Sequence, residues 1–240
     1  MERIQIMKKS LVLFAVMAAA NAIPVNAAVI NLFDWGVNID GSTSCAFGPP
    51  CDTGTLPAAV DASQFDFATG LGTISYTITG AGAHHASLFL DHEIDASFIN
   101  EFGSFAGALG AGQSWEIDDP FFGDIFTNFE NGSLDESNGV PQGLENDVSM
   151  ALAWDFNLGA GIGAGETATV DFQVSLQAPT SGFFLLSLTD PDANPQETIY
   201  FSSTLDIQPT PVPVPGALLL FGSGLAGLVG TCYRRKNQKT

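Results

Sequence analysis

All three histidines of the chain fall in one run, His84-His85-Ala-Ser-Leu-Phe-Leu-Asp91-His92-Glu93-Ile-Asp95. Imidazoles mixed with carboxylates are the donor types of a zinc or copper site, provided that they converge in space. A strand works against that, because alternate side chains leave on opposite faces: His84 and His85 diverge, His85 and Asp91 share a face, and His92 falls on the other. The expectation is an exposed polar cluster where a strand gives way to a loop. Calcium suits the chain better, since it takes about six to eight hard oxygen ligands and carboxylates are abundant. Asp190, Asp192 and Asn194 have the alternating oxygen spacing that opens a calcium loop. Pro195 stands where an EF-hand needs glycine and Phe201 where it needs its last glutamate, so this loop is not an EF-hand. Glu116-Ile-Asp118-Asp119 and Asp135-Glu136-Ser137-Asn138 read as further oxygen-rich loops.

Signatures of catalysis are sparse. The chain has no Gly-x-Ser-x-Gly elbow, no His-Glu-x-x-His and no phosphate loop ending in Gly-Lys. Gly159-Ala-Gly161-Ile-Gly163-Ala-Gly165 precedes a strand pattern and lacks dinucleotide-loop spacing, so it reads as a flexible connection. No catalytic residue is assigned, and the expectation is a non-catalytic protein with no cofactor beyond calcium. A glycan-active enzyme with two facing carboxylates is the competing class, because carboxylate separation is a property of the fold.

Charge narrows the partners. The seven Lys and Arg residues occupy positions 3, 8, 9, 234, 235, 236 and 239, and every one of the 26 acidic residues except Glu2 lies between them. The central region therefore has no group to neutralise phosphates, which excludes nucleic acid as a partner; cations are its natural counter-partners. Apolar residues make up 45% of the chain, enough for a packed core despite the acidity.

The elements that must position these groups read as strands. Apolar and polar residues alternate in 29–35, 72–79, 86–90, 148–156, 167–176, 183–188 and 198–207, separated by Gly, Pro, Asn and Asp clusters. One short helix is expected within 94–109. Seven or more short strands predict an all-β domain, a two-sheet β-sandwich of jelly-roll or immunoglobulin-like connectivity. Ahead of it, Arg3, Lys8 and Lys9 precede the apolar run 11–20, the layout of a signal peptide over 1–27 cleaved after Ala27, with Ala22 as the alternative. The acidic ectodomain then spans 28–208. In an oxidising compartment Cys45 and Cys51 are expected to pair, while Cys232 has no evident partner.

The C-terminal end is an address. A Pro-rich linker, 209–215, leads into 18 uncharged residues, 216–233, long enough as a helix to cross a bilayer, and the basic tail 234–240 should stay cytoplasmic. Val212-Pro213-Val214-Pro215, the Gly-rich apolar run after it and Arg234-Arg235-Lys236 together resemble the PEP-CTERM sorting tail of Gram-negative bacteria, in a VPxP-type variant. The resemblance implies export, transient membrane retention, an exosortase-type membrane peptidase as partner, and delivery to a cell surface or matrix containing extracellular polysaccharide. It implies nothing direct about the domain delivered. For that domain, a binding module for calcium, glycan or ice is the alternative to a purely structural surface protein; a regular row of threonines would favour ice, and the sequence displays no such repeat.

Overall fold

The computed structural model describes residues 28–46, 55–95, 99–140, 146–159, 165–179, 184–193 and 195–209, together with 221 and 223. Among these residues eleven strands form two antiparallel sheets. The five-stranded sheet has the order β2 (Ser42–Cys45), β1 (Ile30–Ile39), β5 (Gly82–Ile94), β8 (Ser149–Leu158), β7 (Gln113–Asp118). The six-stranded sheet runs β3 (Val60–Asp66), β4 (Leu71–Thr79), β9 (Glu166–Ser175), β11 (Glu197–Pro209), β10 (Leu185–Asp190), β6 (Phe102–Ala106). The all-β expectation holds, with two antiparallel sheets packed face to face.

Alternation explains the packing. Ala86, Leu88 and Leu90 of β5 and Met150, Leu152 and Trp154 of β8 point inward from one sheet; Ile74, Tyr76, Val170, Phe172, Leu188 and Phe201 meet them from the other, in one continuous core. Several polar groups inside that core are paired across it. The Tyr76 hydroxyl donates to the Ser87 carbonyl at 3.0 Å, and Ser203 Oγ accepts from Trp154 Nε1 at 2.9 Å and Gln113 Nε2 at 3.0 Å.

Among the described residues of 94–109 there is no helix: β5 ends at Ile94 and β6 occupies Phe102–Ala106, its one glycine, Gly103, being tolerated in a short edge strand. A helix with described bounds, α1 (Ile125–Asn131), comes later and ends at Gly132 in the left-handed conformation, φ 64°; Phe221 and Ser223 are helical as well. It lies on the outer face of the five-stranded sheet, where Ile125 and Phe129 pack with Phe89, Leu134, Ala151 and Ala153 in a second, smaller core. Small residues beneath it make this fit. A Cβ at Gly36 would approach Phe129 Cε1 to 2.7 Å.

Among the described residues no helix is long and apolar enough to cross a membrane. The segments 1–27, 211–220 and 224–240, which hold the expected signal peptide and nearly all of the spanning and basic segments, lie outside the described residues.

Candidate functional site

Register places a row of polar side chains across the outer face of the five-stranded sheet. Asp91 of β5 stands opposite Asp34 of β1 on one side and Ser149 of β8 on the other, and Ser149 stands opposite Asp118 of β7. Asp34 reaches this face because β1 carries a bulge between Leu32 and Asp34: Leu32 pairs with His92, Asp34 with Asp91, and Phe33 is the extra residue, left exposed. A regular strand would have turned Asp34 into the sandwich core. Two positions along β5, Glu93 joins the same face, and Asp147 enters from the residues leading into β8. Glu101 is fixed beside them by a two-way backbone bridge with Asn146, at 3.0 and 3.1 Å.

One carboxylate oxygen from each of Asp91, Glu93 and Asp147 lies within 4.8 Å of the other two. Asp91 is fully buried, and neither of its oxygens has a hydrogen-bond donor among the described residues; the same holds for Glu93 Oε2, Glu101 Oε2 and Asp147 Oδ1. Burial, reinforced by the charges of Asp147, Glu93, Asp34 and Asp119, pushes the Asp91 pKa up to about 9. Burial and then Glu93 push Glu101 to about 10, against the Ile94 N–H that its other oxygen accepts at 3.3 Å. Glu93 rises to about 7, from burial and then Asp147. Burial alone brings Asp34 to about 6, and burial followed by Asp119 and Asp34 brings Asp147 to about 6. Carboxylates converging without donors form the oxygen-rich geometry that a hard cation requires.

A second acidic group, Glu116, Asp118 and Asp124, is built differently. Glu116 accepts two bonds from Asn128 Nδ2, at 3.0 and 3.1 Å, and a third from the Asp135 N–H at 3.3 Å; Asp118 accepts the Asp119 and Asp124 N–H groups, each at 2.9 Å. These acids tie α1 and its flanking loops to β7. Glu116 and Asp118, read from sequence as loop residues, belong to that strand.

The histidines do not meet. His84 Nδ1 is 2.9 Å from Asp40 and His85 Nδ1 is 2.9 Å from Asp155, on opposite faces of β5, and the Asp40 contact raises the His84 pKa. His92 is fully buried on the core-facing side, its Nε2 3.3 Å from the Gly70 carbonyl, and burial holds its pKa near 4. The 91–93 stretch, expected to be exposed, is instead the buried end of a 13-residue strand.

The predicted calcium loop is a protein-satisfied turn where it is described. Asp190 is buried; its Oδ1 accepts the Asp192 N–H at 2.7 Å and the Ala193 N–H at 3.1 Å, and its Oδ2 accepts Asn100 Nδ2 at 2.9 Å. Asp192 is exposed, and Asn194 lies outside the described residues. Cys45 is buried and disulfide-bonded at the end of β2, while Cys51 and Cys232 lie outside the described residues.

The opposite surface of the sandwich, the outer face of the six-stranded sheet, is hydroxyl- and amide-rich. Thr77 pairs with Thr169, Thr79 with Thr167, and Thr73 with Gln173, which pairs in turn with Ser202. An open groove of about 280 Å³ runs along Gln173, Ser175, Gln177, Tyr200 and Ser202. A second, of about 200 Å³, shares Gln173 and Ser202 and adds Thr73, Asp171 and Thr204.

Residues 211–236 match the family model of the PEP-CTERM protein-sorting motif. The tail is a PEP-CTERM sorting motif. The match covers Val212, Pro213, Val214, Pro215, Arg234, Arg235 and Lys236. A PEP-CTERM tail implies secretion, a membrane-associated C-terminal signal and processing by an exosortase, itself a membrane protein. Neither the curated proteins nor the solved structures match the chain, so the PEP-CTERM tail identifies its route and leaves the sandwich to be read from its own geometry.

Proposed function

We propose that this is a non-catalytic surface protein, delivered by its PEP-CTERM tail, whose sandwich holds extracellular polysaccharide on the outer face of the six-stranded sheet. The observation that carries the reading is the sorting motif at 211–236, which implies secretion of the domain it follows. The groove supports the finer part. Its hydroxyls and amides alternate donors and acceptors as sugar hydroxyls do, and the half-buried Tyr200 offers a ring for a sugar face at little entropic cost. The absence of Lys and Arg from the region between the termini disfavours an anionic polymer and favours an uncharged one.

The test is retention of the full chain, in mild detergent, on the polysaccharide shed by its own cells. Tyr200→Ala and Gln173→Ala should each weaken retention several-fold, about 0.5 to 1.5 kcal/mol for loss of a stacking ring. Retention unchanged in both variants, with the fold intact by circular dichroism, would remove the groove from the account and leave the delivery route standing.

A further inference from the structure

We propose that Asp91, Glu93 and Asp147 bind a calcium ion on the outer face of the five-stranded sheet, with Asp34 and Glu101 completing its carboxylate surroundings. The site is independent of the glycan groove and lies on the opposite sheet. Its three ligands come from β5 and the residues leading into β8, held in place by the β5–β8 pairing and the Glu101–Asn146 bridge, while the β1 bulge brings Asp34 to the same face.

The buried oxygens of these carboxylates lack partners among the described residues. An ionised carboxylate taken out of water without a partner is costly by several kcal/mol, and buried acids in proteins are ordinarily paired or hydrogen-bonded. The neighbouring group at Glu116, Asp118 and Asp124 meets that requirement with N–H donors from Asn128, Asp119, Asp124 and Asp135. Asp91 does not: it is fully buried, with both oxygens undonated and one of them facing oxygens of Glu93 and Asp147 within 4.8 Å. No lysine or arginine exists between residues 9 and 234 to supply the missing charge. A divalent cation supplies it for several carboxylates at once.

The donor set selects the ion. All the converging atoms are carboxylate oxygens, which suits a hard cation and not zinc or copper; the adjacent imidazole, His92, is turned to the other face of β5. Calcium accepts many protein oxygens in irregular geometry, whereas magnesium demands a near-ideal octahedron and usually retains several waters. Carboxylates fixed by strand register fit the former. Affinity is expected in the range of extracellular calcium modules, on the order of 0.1 to 1 mM.

The experiment uses the full chain in mild detergent, treated with EGTA, dialysed and then titrated with calcium chloride at pH 7.5 and fixed ionic strength. Melting temperature and titration calorimetry are read, with magnesium chloride as comparator. At a hundredfold excess over Kd, calcium should raise Tm by on the order of 5 to 10 °C, magnesium by far less. Asp91→Asn and Asp147→Asn should each weaken calcium binding at least about tenfold and remove most of the Tm shift, and Asp91→Asn should melt above the parent in EGTA because it removes a buried carboxyl that must take up a proton on folding at pH 7.5. Glu116→Gln should leave the calcium response intact. Should Asp91→Asn fail to fold, Asp147→Asn carries the same test. Identical melting curves in calcium and magnesium, or an unchanged calcium response in Asp147→Asn, overturns the site.

Discussion

Gly36 is where the outer face of the five-stranded sheet was made thin enough for a helix. Phe129 rests on it, and a methyl group there would push against the ring edge at 2.7 Å and 2.8 Å. Gly36→Ala should therefore destabilise the fold by about 1 to 3 kcal/mol, the usual cost of overpacking. Combining it with Phe129→Leu, which shortens the intruding side chain, should recover part of that loss, with a coupling of about 0.5 to 3 kcal/mol. Urea unfolding of the four proteins of this cycle measures it; strict additivity would mean that the helix does not sit on Gly36. At this scale the sequence was a poor guide to the acids. The positions of Asp91 and Glu93 on one face follow from strand alternation, but Asp34 reaches them only through a bulge, and Asp147 only through pairing between strands more than fifty residues apart. Asp190, in contrast, has the spacing of a calcium loop but gives one oxygen to its own turn, bonding the backbone two and three residues on, and the other to the distant Asn100 amide.

The strands were the legible elements. Runs such as 72–79 and 167–176 alternate cleanly because one of their faces is buried and the other wet. β7 was missed for an equally physical reason: both Trp115 and Glu116 are buried, one in the sandwich core and one under α1, so alternation of polarity does not mark a face in contact with water. The threonine rows were likewise hidden, since Thr77 and Thr169 become neighbours only through the β4–β9 register. The tail belongs to the elements that sequence identifies best, because an address is read as a linear string. Processing at a PEP-CTERM motif should leave the extracellular form about 25 residues shorter than the membrane form, which still carries the basic end. Intact-mass measurement on both fractions decides it: Arg234 to Thr240 retained on the released protein would mean that the tail acts as an anchor alone.

Charge of one sign governs the behaviour of the whole molecule, and two parts of it can be separated. Exposed acids repel one another through water, with a Debye length near 10 Å at 0.1 M salt, so sodium chloride should raise Tm by screening them. The buried acids respond to protons instead. Glu93 and Glu116 are raised to about 7, Asp91 to about 9 and Glu101 to about 10, each principally by burial. The folded chain therefore holds protons that the unfolded chain has released, and stability present below the ordinary carboxylate range is lost as pH climbs through these values. His92 works the other way, being neutral when folded down to about 4, but its contribution is complete by pH 6.5 and cannot reverse the trend above it. In EGTA, Tm should fall between pH 7 and 9 by on the order of 5 °C or more, since each group that titrates contributes up to about 1.4 kcal/mol per pH unit. High salt should lift the whole curve without flattening it, because a buried cluster is poorly screened. Calorimetric scans across that pH range in low and high sodium chloride make the measurement. A flat profile in EGTA would mean that the acids on the five-stranded sheet are not held out of water as the fold places them.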